Sequence, residues 1–177
     1  MSLYDRAMTP LTDGAVLRPA AAGDEPGILA CIHALAAYER EPDAVETTTQ
    51  DLTAALFGPS PATFAHVVEL DGQIVGIAVW FLTYSTWTGR HGIWLEDLFV
   101  VPEQRGKGFG LALLRELAAL AAERGYRRLE WAVLKWNAPS ITLYEAIGGR
   151  PQDEWVTYRL TGAALDGFAA GERLPAV

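Results

Sequence analysis

Between residues 101 and 110 the chain reads VPEQRGKGFG, with Gly106, Gly108 and Gly110 spaced around Lys107 directly behind the apolar run 93–101. Glycines in this pattern strip side chains from a turn, so that successive backbone N–H groups can converge on an anion. A helix opening at Gly110 would add the positive end of its dipole, about half an elementary charge. Arg105 and Lys107 would bring full charges to a pyrophosphate. The same glycines would equally serve a strand-to-helix turn that needs them only for geometry. The sequence itself argues against two nucleotide loops. A Walker loop requires Gly-Lys followed by Ser or Thr, and Lys107 is followed by Gly108; a dinucleotide fingerprint requires a third glycine where Leu111 stands.

A second chemical feature lies just upstream, where Glu96 and Asp97 interrupt the apolar run. On a regular strand Glu96 shares a face with Trp94 and Leu98 while Asp97 points to the other. An unpaired carboxylate is costly to bury, so such a group either faces solvent or serves a ligand. Tyr144 either packs with Ile141 and Ile147 on an amphipathic helix or offers a phenol with a pKa of about 10 as a proton donor. Asn137 is a turn residue before Pro139 or a ligand-bonding amide, and Ser140 starts a helix, since no His or Asp pattern makes it a nucleophile. His33, His66 and His91 have no metal-ligand spacing, and no metal is expected. Cys31, the single cysteine, falls in an apolar-periodic stretch and reads as core.

The elements that would position these groups follow from periodicity and turn residues. Short strands are predicted at 15–18, 64–69, 73–84, 93–101, 128–135 and 155–160, with Asp71-Gly72 closing a tight hairpin. Helices are predicted at 26–38 behind Asp24 as cap, at 49–57, at 110–124, at 139–147 up to Gly148-Gly149, and at 163–170. The helix at 110–124 links two strands that should therefore lie parallel, whereas the earlier strands form an antiparallel meander. The fold class is mixed α/β. At 177 residues with no internal repeat the chain is read as one domain, 1–177, with a loose N-terminus over 1–13 and a loose tail at GERLPAV.

Composition narrows the partners. Fourteen Lys and Arg against 22 Asp and Glu give a formal net charge of −8, which repels nucleic acid and favours cationic ligands. The first residues carry no charged-then-apolar leader, no apolar run is long enough to span a bilayer, and one cysteine forms no internal disulfide. A cytoplasmic protein without membrane association is expected.

With those readings in place, Arg105-Gly106-Lys107-Gly108-Phe109-Gly110 resembles the Arg-x-x-Gly-x-Gly/Ala signature of the GNAT acyl-CoA-dependent N-acetyltransferases, at the same strand-to-helix junction. Leu95-Glu96-Asp97-Leu98-Phe99-Val100, Trp136-Asn137-x-Pro139-Ser140 and Ile141-x-x-Tyr144 are similar to the diamine and polyamine branch, as are Arg18-Pro19-Ala20 and Leu35 to Glu39. Tyr84-Ser85-Thr86-Trp87 and Ala132-Val133-Leu134-x-Trp136 stand closer to its thialysine-acetylating members, because the spermidine and spermine enzymes carry an Asp where this chain has Ser85-Thr86.

The resemblance implies a GNAT-like central, mostly antiparallel sheet with one parallel crossover. It also implies acetyl-CoA as cosubstrate, with acetyl transferred directly to the amine of a small cation. The cosubstrate would be held by the glycine loop 105–110, by the backbone of Leu98, Phe99 and Val100, and by Asn137. Tyr144 would be the general acid, and Glu96 either the base or an electrostatic anchor. Glu39, Trp87, Glu96, Asp97, Asp153 and Trp155 would surround the amine, and the protein would be a homodimer. Acetylation of a protein amine or an amine-bearing antibiotic is the alternative within the family, and a non-catalytic CoA-binding module the alternative outside it.

Overall fold

Asp71 and Gly72 take φ values of 51° and 75°, the left-handed pair that a two-residue hairpin turn requires. They join β3 (Thr63–Leu70) to β4 (Gln73–Ser85), where the sequence predicts the hairpin. Around it lie β1 (Thr9–Pro10), β2 (Val16–Pro19), β5 (Arg90–Val100) and β6 (Leu129–Trp131), forming a six-stranded sheet in chain order. All neighbours are antiparallel except β5 and β6, which are parallel as the intervening helix demands. The structure, a computed structural model, describes residues 7–172, and these fall into two compact units that part between Leu134 and Lys135.

The first unit carries the sheet with α1 (Glu25–Tyr38), α2 (Thr49–Phe57) and α3 (Phe109–Glu123). α2 begins with a capping box: the Asp51 N–H donates to the Thr48 hydroxyl at 3.2 Å while the Thr48 N–H donates to the Asp51 carboxylate at 2.9 Å. Asp24 stands at the N-cap of α1, but its side chain does not cap. Its carboxylate instead accepts from the Arg18 guanidinium at 2.6 and 2.9 Å and from the Ala21 N–H at 2.8 Å. The core has two faces. Ile28, Cys31, Leu52 and Leu56 from α1 and α2 bury against Ala65, Val67, Ile77, Val79 and Phe99. On the other face Leu113, Leu114, Leu117 and Leu120 of α3 are buried, as are Trp80, Ile93 and Leu95 of the sheet. Each buried Val, Leu, Ile or Phe among them contributes about 1.5–3 kcal/mol of apolar burial. Burial also pushes the Cys31 thiol up to about 11, as suits a core cysteine.

The second unit holds α4 (Ala138–Ala146) and α5 (Gly162–Ala169). Two strand expectations are corrected. The strand foreseen over 128–135 is only Leu129–Trp131, and 155–160 forms no strand. A strand exists only through its ladder partner, and β6 pairs with Ile93, Trp94 and Leu95 but no further, because β5 departs from regular pairing at the next residue. The alternating apolar pattern of 155–160 has no such ladder among the described residues. Of the N-terminal stretch expected to be loose, residues 1–6 lie outside the described residues, while Thr9 and Pro10 pair with Leu17 and Val16. In the expected loose tail, 173–177 also lie outside them. Among the described residues no helix is long and apolar enough to cross a membrane.

Candidate active site

β5 contains one residue more than its neighbour can pair. Val79 of β4 stands opposite Asp97 and Trp80 opposite Leu95, so Glu96 has no partner and forms a β-bulge. Successive β4 residues point to opposite faces. Val79 belongs to the core beneath α1 and α2, hence Asp97 lies on that face, whereas Leu95 joins Trp80 on the other. The bulge overturns the alternation expected from a regular strand. Glu96 stays on the side of Trp94, whose indole N–H donates to its carboxylate at 2.8 Å, and Trp94 pairs with Phe81 on the same face as Val79. Two consecutive carboxylates thus turn towards one face.

That face is where α1 ends. Glu39 caps the helix C-terminus immediately after Tyr38. Burial pushes the Asp97 carboxyl up to about 6, with the negative charges of Glu96 and then Glu39 adding to the effect. Burial also raises the Glu39 carboxyl above its ordinary range. Of the residues singled out in the sequence, Asp97 is therefore close enough to Glu96 and Glu39 to feel the charge of both. Such a group attracts a cation, and one member is poised to accept a proton near neutral pH.

β6 ends beside Leu95, so from Glu96 to Val100 the far edge of β5 has no strand partner among the described residues. The Val101 N–H donates to the Val75 carbonyl on β4 at 3.0 Å, so the alternating backbone groups of Leu98 and Val100 point away from β4, towards the open edge. An extended chain with amide groups can continue the ladder there. β5 then leads through a short 3-10 turn, Pro102–Gln104, into the glycine loop. Gly106 and Gly108 have φ of 79° and 82°, conformations a side chain would strain, and nothing lies within 4 Å of where a Cβ would stand on either. The first intrahelical bond of α3 runs from the Ala112 N–H to the Gly108 carbonyl, so the N–H groups of residues 109–111 lack helical acceptors. A cleared loop with converging donors at a helix start fits a pyrophosphate. Phe109 offers only its backbone, since its side chain is buried in the core.

The two loop cations are arranged differently from the simple expectation. Lys107 Nζ lies 2.9 Å from the Asp13 carboxylate. Arg105 Nε donates to the Val100 carbonyl at 3.0 Å, and the guanidinium carbon lies 5.0 Å from the Tyr38 ring centre and 5.4 Å from that of Phe99. Sequence reasoning missed this seat for Arg105; the apolar-aromatic positions Tyr38 and Phe99 were its only advance signal. Trp87 is not gathered with the carboxylates in this chain. It is 88% exposed in the turn between β4 and β5, and from Arg90 at the start of β5 the strand runs six residues, roughly 20 Å, to the bulge at Glu96.

In the second unit Asn137 is buried and caps α4, its side-chain oxygen accepting from the Ser140 N–H at 3.4 Å. Ser140 is thus a helix-start residue. Tyr144 lies half-buried in the last turns of α4, while Asp153 and Trp155 are exposed in the segment between α4 and α5.

Residues 29–148 match the acetyltransferase (GNAT) family. The chain is 35% identical over 161 residues to the thialysine N-epsilon-acetyltransferase of Sus scrofa, covering 85% of this chain and 94% of that one. It is 33% identical over 159 residues to the human spermidine/spermine N(1)-acetyltransferase-like protein 1, covering 84% of this chain but 23% of that longer protein. Among solved structures, an integron cassette protein from the mobile metagenome of Vibrio cholerae superposes with a TM-score of 0.74 over 88% of this chain and 97% of its own, at 23% identity, a likeness of fold.

Proposed function

Because the chain belongs to the GNAT family of acetyltransferases, we propose that it transfers acetyl from acetyl-CoA directly to a primary amine of a small cation. A thialysine- or lysine-like amino acid is the first acceptor and a diamine or polyamine the second. The observation that carries this reading is the bulge at Glu96, which turns Glu96 and Asp97 together towards Glu39.

An amine with a pKa above 10 is protonated at neutral pH and does not attack a thioester. Glu39 and Glu96 draw the ammonium in, and Asp97, with its carboxyl raised to about 6, accepts its proton. This moves the base from Glu96, whose carboxylate is already held by the Trp94 indole, to its neighbour. The pyrophosphate of acetyl-CoA is held by the N–H groups of the loop 106–111 with Lys107 beside them, and its pantetheine arm by the backbone groups of Leu98 and the N–H of Val100, whose carbonyl is taken by Arg105. Acetyl-CoA, when bound, supplies an acetyl thioester activated for attack by an amine. The Tyr144 hydroxyl gives its proton to the departing thiolate, and Asn137 holds the N-terminus of the helix that carries it. Both units belong to one acetyltransferase domain in this reading, which works in the cytoplasm as a homodimer.

The test is CoA release from acetyl-CoA with thialysine, lysine, putrescine and spermidine offered separately to wild type and Tyr144→Phe. Turnover of one amine, with the variant keeping its CoA affinity but losing about a hundredfold or more in kcat, supports the reading. Thiol release for none of them, with CoA still bound, overturns it.

A further inference from the structure

The glycine loop and the amine-side carboxylates are separate in sequence, yet one side chain touches the supports of both. Arg105 opens the loop. Its Nε donates to the carbonyl of Val100 on β5 at 3.0 Å, and its guanidinium lies over Phe99, two residues from Asp97, and over Tyr38, the residue before Glu39. The planar guanidinium can do this because it stacks on aromatic faces while its Nε–H still points to an acceptor, a combination an ammonium lacks. α1 packs on both β4 and β5, so its C-terminal turn is fixed from the sheet side by apolar contacts and at its end by this stack. Lys107, two residues on, is bound to Asp13 at 2.9 Å.

We propose that Arg105 is a positioning residue for the amine pocket: it braces the end of α1 against β5 and so holds Glu39 facing Asp97. The proposal rests on the carboxylate pocket described above but assigns Arg105 a role that a phosphate ligand would not have. A phosphate ligand acts through its charge, which lysine retains. A brace acts through planarity and stacking, which lysine loses.

The experiment compares wild type with Arg105→Lys, Arg105→Ala, Tyr38→Leu and Tyr38→Phe, after thermal melts establish that each is folded. Three quantities are read: KM and kcat for the amine, the dissociation constant of CoA by calorimetry, and the titration of the Asp97 carboxyl by carbon NMR in the free protein. The charges facing Asp97 are Glu96 on its own strand and Glu39 from α1. The expected result is that Arg105→Lys, Arg105→Ala and Tyr38→Leu all lower kcat/KM for the amine by about five- to tenfold with CoA affinity within about twofold of wild type. Tyr38→Phe, which keeps the ring, stays near wild type. The Asp97 titration moves to lower pH in the first three variants, because the like charge of Glu39 is no longer held against it.

CoA affinity falling severalfold in Arg105→Ala and recovering in Arg105→Lys would overturn the proposal in favour of a phosphate contact. An Asp97 titration unmoved in all variants would overturn it as well. Absence of amine turnover in the wild type would instead sink the functional reading, and the NMR titration still decides the role of Arg105.

Discussion

Replacing Asp97 by Asn should remove activity and stabilise the fold in the same step. The Asp97 carboxyl is raised from 3.8 to about 6, so the folded protein binds a proton there more tightly than the unfolded chain does. A group of this kind contributes most to stability below about pH 4, and the contribution is lost as pH rises through 6, leaving the ionised carboxylate as a net burden at neutral pH. Two pKa steps at 1.36 kcal/mol each set an upper bound of roughly 3 kcal/mol, and the partial solvent access of Asp97 reduces it. Asparagine keeps the shape without the charge. Melts of wild type and Asp97→Asn should coincide near pH 4, separate between pH 4 and 6, and differ by several degrees above pH 7, with the variant higher.

The kinetic arm uses the same ionisation. In wild type kcat/KM for the amine should rise through pH 6 to a plateau, with the rate at pH 5 about a tenth of it. Asp97→Asn should lose the acid limb and about 10²- to 10⁴-fold of the rate. A log kcat/KM that climbs with unit slope from pH 5 to 9 would mean that the amine loses its proton in solution, and Asp97 would not be its acceptor. A variant melting at or below the wild-type temperature at pH 8 would refute the claim that the carboxylate is held against its preference.

Glu39→Gln should move the same acid limb to lower pH. Glu39 is the smallest of the three causes that raise the Asp97 carboxyl, so the displacement should be less than about 0.7 pH, read from a kcat/KM profile; a move upward would contradict the like-charge arrangement. Gly108→Ala forces a side chain into φ of 82° at the N-cap of α3, which should cost about 1–2 kcal/mol in a melt and weaken CoA several-fold by calorimetry.

The parts of the fold that reported themselves in sequence are those with local causes. Asp71-Gly72, the helix over 49–57, and the 3.6-residue apolar rhythm of α3 each depend on neighbours a few residues away, and each lies within a residue or so of its expected place. The carboxylates Glu96 and Asp97 were visible as an acidic break in an apolar run. Their shared face was not, because a bulge is a property of two strands: it is counted only when Val79 and Trp80 are set opposite Asp97 and Leu95. Arg105 was legible as a cation in a glycine loop, but its seat on Tyr38 depends on a helix that ends 67 residues earlier in the chain. The strand expected at 155–160 failed for the same reason in reverse, since its alternation says nothing about whether a ladder awaits it.

The unpaired position in β5 has a consequence for how the strand tolerates changes in length. Elsewhere in β5, losing one residue shifts everything on one side of the cut by half a pleat and sends core side chains to solvent. At Glu96 the arithmetic reverses: without it Leu95 and Asp97 become ordinary neighbours on opposite faces, still across from Trp80 and Val79, and Phe99 keeps its place beneath α1. The bulge is thus an insertion that the core does not notice. A shorter ancestor or sibling of this chain can carry the same hydrophobic pattern, so a gap of one residue there marks the loss of paired carboxylates more faithfully than any substitution in the surrounding strand.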